Sequence, residues 1–304
     1  MALKITAWIQ ATRPPAQINL ALPLIFGQLL AYKLVWVFFW DFALLLACYS
    51  LAMHLYIVFW NDWADQDADR HNQHPTPFSG GSRVLPDGLL APRALFTAGA
   101  VAALAVLALG YLSTHYLDRP WTLLLFAAGT FLLWTYSIPP LRLNYRFGGE
   151  FLQALGVGVL LPQIGYYIHA NAFAASTFIF PFFLHQLAIA IAFTLPDQDA
   201  DKQSGKRTLA TLISPKHAAE FAVFTGVIAQ FLLLFIHPHG FILSPLNLPS
   251  LPLFLSFLLL FKLKTANDTI AALESTRKYT LAFVALTLTV GIFYILGIFL
   301  SNKV

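Results

Sequence analysis

The chain has 304 residues, of which 58% are hydrophobic and only 11% are charged, so it has too few polar groups to cover a water-soluble domain. Its mean hydropathy of +0.69 is typical of an integral membrane protein. The inner face of a membrane accounts for the formal net charge of +4, and no nucleic-acid partner is indicated.

Apolar segments close to the length of about 20 residues that crosses a bilayer recur along the whole chain. Because these segments are continuous rather than alternating, they disfavour a membrane β-barrel. We therefore predict an all-α polytopic membrane protein, a single domain over residues 1–304 whose helices surround a central cavity open to the cytoplasm. The nine predicted transmembrane helices cover residues 16–33, 41–60, 94–115, 121–138, 151–169, 173–195, 218–236, 248–263 and 279–300.

The lysine and arginine residues predict the orientation of these helices. If the N-terminus is cytoplasmic, 15 of the 18 Lys and Arg residues lie on the inner side, and Lys33, Arg119 and Lys303 lie on the outer side. Such a bias follows the positive-inside rule. We therefore expect a protein of the bacterial inner-membrane type, with its N-terminus and its polar chemistry on the cytoplasmic side.

The pentapeptide Asp-Gln-Asp-Ala-Asp occurs twice, at residues 65–69 and 197–201, and each copy follows an apolar segment. These ten positions hold six of the fourteen acidic residues, and carboxylates this close repel each other unless a cation lies between them. On a helix, residues four apart share a face, so each copy presents its two outer carboxylates together. With the amide that extends the first face, the predicted metal ligands are Asn61, Asp65, Asp69, Asp197 and Asp201.

Mg²⁺ is the metal that this ligand set favours, since it is usually bound through one or two carboxylates together with substrate phosphates and water. Two acidic faces on opposite sides of a cavity would hold the ions that bind a diphosphate. The central Asp67 and Asp199 lie about 200° around the helix from their neighbours, so we expect them to be solvated or to support the metal ligands from behind. A single acid-rich turn is usually a solvated helix end, but two matching copies on one side favour a functional site.

Basic and aromatic side chains near the same predicted cytoplasmic mouth complete the site. Cations that neutralise a departing phosphate are the usual complement of Mg²⁺, although the positive-inside rule alone also explains basic residues here. Aromatic faces near an allylic carbon would stabilise a developing cation. The aromatic candidates are Tyr56, Trp60, Trp134 and Tyr136. The candidate catalytic residues are Asp65, Asp69, Asp197, Asp201 and Tyr136. The candidate substrate-binding residues are Asn61, Arg70, Arg83, Arg142, Lys202, Lys206 and Arg207.

Three motifs together resemble the UbiA superfamily of intramembrane prenyltransferases. They are Asn61-Asp62-x-x-Asp65-x-x-x-Asp69, Tyr136-Ser-x-Pro-Pro-x-Arg142 and Asp197-x-x-x-Asp201-x-x-x-Gly205-Lys-Arg-Thr-Leu. The likeness extends from about Arg13-Pro14 to the last apolar segment, and nine helices is the architecture of that family. The resemblance implies transfer of a prenyl group from an isoprenyl diphosphate to an acceptor, with Mg²⁺ as the cofactor held by the acidic motifs.

Two further runs, Gly-Lys-Arg-Thr-Leu-Ala and Tyr-Arg-x-Gly-Gly-Glu150, look closer to the 1,4-dihydroxy-2-naphthoate prenyltransferases than to the haem farnesyltransferases. The implied partners are an isoprenyl diphosphate donor, a small aromatic acceptor and membrane lipid, in the biosynthesis of a menaquinone-like quinone. Two positions depart from the family pattern. Pro140 stands where many members have Lys after the tyrosine, and Thr194 where menaquinone-pathway members often have Asn.

Two alternatives stay open at this point. A different acceptor, such as 4-hydroxybenzoate, homogentisate, chlorophyllide or glycerol phosphate, would keep the same chemistry. A cation-coupled transporter would need ionisable residues near the bilayer midplane and polar groups at both mouths. The predicted outer loops near 170 and at 237–247 contain no Asp, Glu, Lys or Arg, which favours one-sided enzyme chemistry over transport.

Overall fold

The computed structural model describes residues 2–72, 75, 80–236, 245–260 and 270–301, and the side chains of all of these except 2–4, 236 and 270–277. Among these residues every regular element is helical and no strand occurs, so the predicted all-α fold is confirmed. Lys303 and residues 261–263 of the eighth predicted segment lie outside the described residues.

Fourteen α-helices occur in the described part of the chain. They are α1 (Ala2–Ala11), α2 (Ile18–Val35), α3 (Trp40–Ala64), α4 (Gln66–His71), α5 (Pro92–Tyr116), α6 (Thr122–Ser137), α7 (Gly149–Leu155), α8 (Leu161–Ala170), α9 (Ser176–Thr194), α10 (Gln198–Gln203), α11 (Leu209–Ile213), α12 (Pro215–Ile236), α13 (Ser250–Leu260) and α14 (Ile270–Leu300). A π-helical turn at Gly156–Leu160 joins α7 to α8, and a 3-10 turn at Pro14–Gln17 precedes α2.

Among the described residues, seven helical stretches are long and apolar enough to cross a membrane, and each overlaps a predicted segment. They are Ile5–Val35, Trp40–Ala64, Pro92–Tyr116, Gly149–Ala170, Ser176–Thr194, Pro215–Phe235 and Lys278–Leu300. The two other predicted segments, 121–138 and 248–263, correspond to shorter apolar helices at Thr122–Ser137 and Pro245–Leu260. Seven such stretches place the chain among integral membrane proteins, while the count of nine crossings stays a prediction.

The helices α3 and α9 both end where the sequence changes from apolar to acidic. Asp65 (φ −97°, ψ 7°) separates α3 from the short helix α4. Asp197 (φ −96°, ψ 0°) lies in the same position before α10. Pro196 favours the second break, because a proline inside a helix removes a backbone donor and clashes with the preceding turn. Each predicted acidic motif thus consists of a break followed by a six-residue helix.

The chain folds into two compact units. Helices α1–α6 together with α8 form the first unit, and α7 together with α9–α14 forms the second. The first acidic motif, the loop at 80–91 and the loop after α6 up to Asn144 belong to the first unit. The second acidic motif belongs to the second unit, as do Tyr145 and Glu150.

Close helix packing fixes the first unit. A Cβ atom on Gly27 of α2 or on Gly165 of α8 would collide with a backbone carbonyl oxygen of the other helix, so the two backbones are in contact. Near the end of α3, Trp60 stacks on Phe96 of α5, with ring centroids 5.2 Å apart. Its Nε1 also donates to the Phe96 carbonyl oxygen at 3.0 Å. These contacts fix the end of α3 directly before the first acidic motif.

The second unit is built around α9, which packs against α12 and α14. The hydroxyl of Tyr294 on α14 donates to the carbonyl oxygen of Phe178 on α9 at 2.7 Å. Many of the buried residues are small, and small residues let membrane helices approach each other closely. Buried members of this core include Ala188, Ala192, Ala218, Ala219, Ala222 and Phe283. The helix that leads into the second acidic motif is therefore held on two sides.

Candidate active site

The first acidic motif keeps its three predicted ligands in register across the helix break. The backbone N–H of Asp65 donates to the carbonyl oxygen of Asn61 at 2.8 Å, and that of Asp69 donates to the carbonyl oxygen of Asp65 at 2.9 Å. Because these bonds span four residues, the three side chains share one side, as the spacing predicts. Asp65 is only 6% exposed, and the other two residues are partly buried.

Two amides orient the carboxylate of Asp65. Nδ2 of Asn61 donates to Oδ2 at 3.2 Å, and Nδ2 of Asn144 donates to Oδ1 at 3.3 Å. Asn144 comes from the loop after α6, where Arg142 Nη2 also donates to the carbonyl oxygen of Ala64 at 2.6 Å. These two hydrogen bonds fix the carboxylate, and the amides that donate them carry no charge. Oδ1 of Asn144 is itself buried and has no hydrogen-bond partner among the residues that the structure describes.

Asp62 is a buried acid that lies about 100° around the helix from Asn61. Its side chain is 3% exposed, and its Oδ2 accepts the backbone N–H of Ser82 at 3.1 Å. Its Oδ1 forms an ion pair with Nη1 of Arg13 at 3.5 Å. A buried carboxylate is costly unless it is paired and hydrogen-bonded, and here it is both. Asp62 thereby connects α3 to the turn after α1 and to the loop after α4.

The sequence Gly-Gly-Ser-Arg at residues 80–83, called here the glycine loop, lies on the first acidic motif. Gly81 has φ +63°, and a Cβ atom on it would collide with Oδ2 of Asp69, so a side chain does not fit here. Nη1 of Arg83 donates to the carbonyl oxygens of Asp69 and, at 3.4 Å, Asn72. This guanidinium is therefore bound to the end of α4, and its predicted contact with phosphate stays a prediction.

The second acidic motif repeats the register of the first. The backbone N–H of Asp201 donates to the carbonyl oxygen of Asp197 at 2.8 Å. Asp201 is 6% exposed, and Nζ of Lys206 lies 3.6 Å from its Oδ1. The same Nζ lies 5.2 Å from the ring centroid of Tyr145, which is within the range of a cation–π contact. The buried carboxylate of this motif thus has a cation as its neighbour.

Glu150 supports the loop that follows the second motif. Its buried Oε1 accepts the backbone N–H of Leu209 at 2.6 Å, at the first residue of α11. Thr208 Oγ1 accepts the N–H of Thr211 at 3.4 Å. The first N–H groups of a helix have no partner within the helix, and a carboxylate there also interacts favourably with the helix dipole. Glu150 therefore helps to fix the end of the Lys-Arg-Thr run.

Several predicted basic residues face solvent. Arg70 pairs with Asp67 at 3.2 Å, but their side chains are 54% and 77% exposed, and exposed pairs of this kind contribute little. Asp199, Lys202 and Arg207 are exposed as well. The central aspartates of both motifs are thus solvated, which is one of the two placements predicted for them. Arg70, Lys202 and Arg207 stay candidate phosphate ligands on the sequence prediction alone.

The family to which the chain belongs follows from its match to a family model. The model of the UbiA prenyltransferase family matches residues 20–286. The chain belongs to the UbiA prenyltransferase family. The predicted family is therefore confirmed, and the protein is a prenyltransferase that is integral to a membrane.

Solved structures of UbiA proteins share the fold. A UbiA homologue from Archaeoglobus fulgidus bound to DMAPP and Mg²⁺ has a TM-score of 0.66 at 16% identity, over 93% of this chain and 98% of that one. The same homologue bound to GPP and Mg²⁺ has a TM-score of 0.61. A digeranylgeranylglyceryl phosphate synthase has a TM-score of 0.64 at 19% identity, over 97% of this chain and 98% of that one. Identities this low establish the common fold and nothing finer.

A relative in sequence is the 2-carboxy-1,4-naphthoquinone phytyltransferase of Synechocystis sp. It is 28% identical over 170 residues, which are 55% of this chain and 52% of the relative. The alignment therefore spans about half the length of that protein.

The side chains of the two acidic motifs are of the type that binds Mg²⁺. In the part of the chain that is described, no three His, Cys, Asp or Glu side chains cluster as a ready-made metal site. Each acidic motif instead offers two carboxylates four residues apart. This suits Mg²⁺, which takes one or two carboxylates and completes its shell with water and phosphate oxygens. The buried, unpartnered Oδ1 of Asn144 beside Asp65 is an acceptor that a metal-bound water would satisfy.

The sequence prediction missed the roles of three buried polar side chains. Asp62 carried a signal, since it is an acidic residue that adjoins Asn61 in the motif but lies off the ligand face. Glu150 carried a weaker signal, because it directly precedes an apolar segment. Asn144 carried none, since an asparagine in a loop is usually exposed. Tyr136, the predicted aromatic, lies partly buried in the last turn of α6.

Proposed function

We propose that this UbiA protein transfers a prenyl group from an isoprenyl diphosphate to a small aromatic acceptor, in the biosynthesis of a menaquinone-like quinone, and that the transfer requires Mg²⁺. The observation that carries the proposal is the matched construction of the two acidic motifs. Each has an apolar helix, a break at an aspartate, and a second aspartate four residues on. Buried carboxylates held in this way are suited to bind cations that accompany a diphosphate.

In this proposal Asp65, Asp69, Asp197 and Asp201 hold the metal, with Asn61 as a further oxygen ligand. The chemistry that Mg²⁺ supplies when bound is neutralisation of the diphosphate charge. Lys206 lies beside Asp201, so it would contact the same diphosphate and stabilise its negative charge as it departs. Arg142 is bound to the carbonyl oxygen that ends α3, so its contribution would be to hold the first motif in place.

The proposed reaction substitutes at an allylic carbon. The carbon–oxygen bond of the donor breaks, and its electron pair leaves with the diphosphate. An aromatic carbon of the acceptor supplies the electron pair for the new carbon–carbon bond, and a proton leaves that carbon. Apolar surroundings protect the cationic prenyl group from water, and the aromatic ring of Tyr136 is the candidate that would stabilise it.

The acceptor class rests on the relative from Synechocystis sp., which acts on 2-carboxy-1,4-naphthoquinone and is 28% identical over half its length. The donor class is supported by the UbiA homologue that binds DMAPP and GPP with Mg²⁺. We therefore expect a bicyclic naphthoquinone precursor to be preferred over a single phenolic ring.

The test is incubation of the purified protein with geranylgeranyl diphosphate and a panel of acceptors, followed by mass spectrometry of the products. The panel holds a dihydroxynaphthoate, 4-hydroxybenzoate, homogentisate, chlorophyllide and a glycerol phosphate. We expect a prenylated naphthoate and release of diphosphate, both abolished by EDTA and restored by Mg²⁺. Full turnover by the Asp65→Ala/Asp197→Ala variant, or turnover in EDTA, would contradict the metal assignment. The matched control is Asp67→Ala/Asp199→Ala, which changes the two exposed aspartates of the same motifs.

The proposed orientation has the N-terminus and the site mouth in the cytoplasm. The chain has a single cysteine, Cys48, so Cys48→Ser gives a cysteine-free background. In that background Gln203→Cys would lie on the cytoplasmic side and Ala172→Cys on the outer side, and both positions are exposed. A membrane-impermeant maleimide added to intact spheroplasts should label only the second variant. Labelling of the first variant alone would reverse the orientation.

A further inference from the structure

The glycine loop contacts the first acidic motif at three places, which lie before α4, within α4 and at its C-terminal end. At the beginning, Ser82 N–H donates to Oδ2 of Asp62, which is four residues before the start of α4. In the middle, the backbone of Gly81 is in contact with the carboxylate of Asp69. At the end, Arg83 donates to the carbonyl oxygens of Asp69 and Asn72. The loop therefore binds both the helix that precedes Asp69 and the turn that follows it.

The short helix α4 needs such support. It has six residues, whereas isolated helices shorter than about 12–15 residues are marginal in water. The side chain of Asp65, the residue at its N-cap position, forms no capping hydrogen bond. Arg83 satisfies carbonyl oxygens at the C-terminal end, where cations are also favoured by the helix dipole. Without the loop, the carboxylate of Asp69 would move with a helix that does not hold its own shape.

Asp62 and Arg13 anchor the loop in turn. Ser82 is bound from both sides, since its N–H donates to Asp62 and its carbonyl oxygen accepts Nε2 of Gln10 at 2.7 Å. Arg13 compensates the charge of Asp62 inside the protein. The turn after α1, the end of α3 and the glycine loop are thus joined at one buried carboxylate.

We propose that Asp62 is a positioning residue that fixes the carboxylate of Asp69 through the glycine loop, so that Asp62 binds neither metal nor phosphate itself. The proposal rests on the proposed function, because it assigns Asp69 to the metal site. Side chains that orient a metal ligand typically change metal affinity by 10–100-fold when they are replaced. Asp62→Asn keeps the size of the side chain but removes the charge that pairs with Arg13.

The experiment measures Mg²⁺ binding by the full-length protein in detergent, from the Mg²⁺ dependence of its thermal stability and by competition with Mn²⁺ followed by electron paramagnetic resonance. For Asp62→Asn we expect the apparent dissociation constant to rise about 10-fold or more. Asp67→Asn, on the exposed face of the same motif, should leave it unchanged. In the transferase assay, raising Mg²⁺ should restore most of the kcat of Asp62→Asn.

Unchanged Mg²⁺ affinity in Asp62→Asn overturns the proposal, as does a complete loss of metal binding equal to that of Asp65→Ala, which would make Asp62 a ligand. If Asp62→Asn does not fold, Gly81→Ala is the deciding variant, because it keeps every charge and displaces the Asp69 carboxylate. It should weaken Mg²⁺ binding to a similar extent, and an unchanged affinity would refute the link. The measurements of Mg²⁺ binding do not depend on prenyl transfer. If the proposed function is wrong, the wild-type protein will bind Mg²⁺ but will show no turnover, and this result is distinct from an unchanged Mg²⁺ affinity in the variants.

Discussion

In the first acidic motif the buried carboxylate of Asp65 accepts hydrogen bonds from two neutral amides, whereas in the second the buried carboxylate of Asp201 lies beside Lys206. The backbone of the two motifs is alike, with a break at an aspartate and an i→i+4 hydrogen bond across it. The difference lies in the electrostatics. The two amides that donate to Asp65 carry no charge, whereas Lys206 places a cation beside Asp201, as its proposed contact with phosphate requires.

The largest expected effect comes from the buried aspartates themselves. Asp65→Asn and Asp201→Asn should each lower kcat by about 10²–10³, the range for loss of one preorganised electrostatic group. Single-turnover assays at saturating donor would measure it. The exposed Asp67→Asn and Asp199→Asn serve as paired controls and should retain near wild-type activity. If Asp201→Asn were as active as its control, the second motif would not bind the metal, and the two motifs would have different roles.

The amides around Asp65 are expected to have the next largest effect. Asn144→Ala removes one donor to Asp65 and also the buried acceptor beside it, so the Mg²⁺ concentration for half-maximal activity should rise about 10-fold. The matched control is Gln66→Ala, because Gln66 adjoins Asp65 in sequence while its amide donates to the carbonyl oxygen of Trp63. A change in donor KM at unchanged Mg²⁺ dependence would instead assign Asn144 to substrate.

The cation of the second motif should act on the diphosphate donor rather than on the metal. Lys206→Ala is expected to raise the KM for the donor roughly 10-fold, which corresponds to about 1.4 kcal/mol of binding. Lys216→Ala, which removes an exposed lysine paired with Glu220 at 4.0 Å, should change it less than about twofold. Equal effects of the two variants would show that the KM for the donor depends on general positive charge and not on the lysine that contacts Asp201.

The membrane helices were predictable because long apolar runs in a bilayer must satisfy their backbone hydrogen bonds internally, which leaves helices as the solution for a chain of this kind. The predicted segments 41–60 and 173–195 accordingly correspond to α3 and α9. The shared face of Asn61, Asp65 and Asp69 was also predictable, since four-residue spacing survives the break at Asp65.

The surroundings of the carboxylates were not predictable from spacing. Asn144 lies 79 residues after Asp65, and Ser82 lies 20 residues after Asp62, so both contacts depend on the path of loops. The contacts of Arg83 were not predictable from spacing either. Arg83 is a predicted substrate-binding residue because it is a basic residue near the first motif, and in the folded chain its guanidinium donates to backbone carbonyl oxygens. Periodicity identifies a face of a helix, but the partners of that face come from distant segments.

The smallest expected effect is on stability and concerns how each motif is supported. The glycine loop supports the first motif, whereas in the second Glu150 accepts the first backbone N–H of α11, after the Lys-Arg-Thr run. Glu150→Ala should lower the free energy of unfolding by about 1 kcal/mol, as for loss of a helix N-cap, measured as a lower denaturation midpoint in detergent. Glu150→Gln keeps an acceptor oxygen and should lose less free energy of unfolding.

The control is Glu220→Ala, which removes an exposed partner of Lys216 at 4.0 Å and should have almost no effect on stability. A loss in Glu150→Ala no larger than in this control would mean that α11 is held by its apolar contacts, leaving the second motif without a counterpart of the glycine loop.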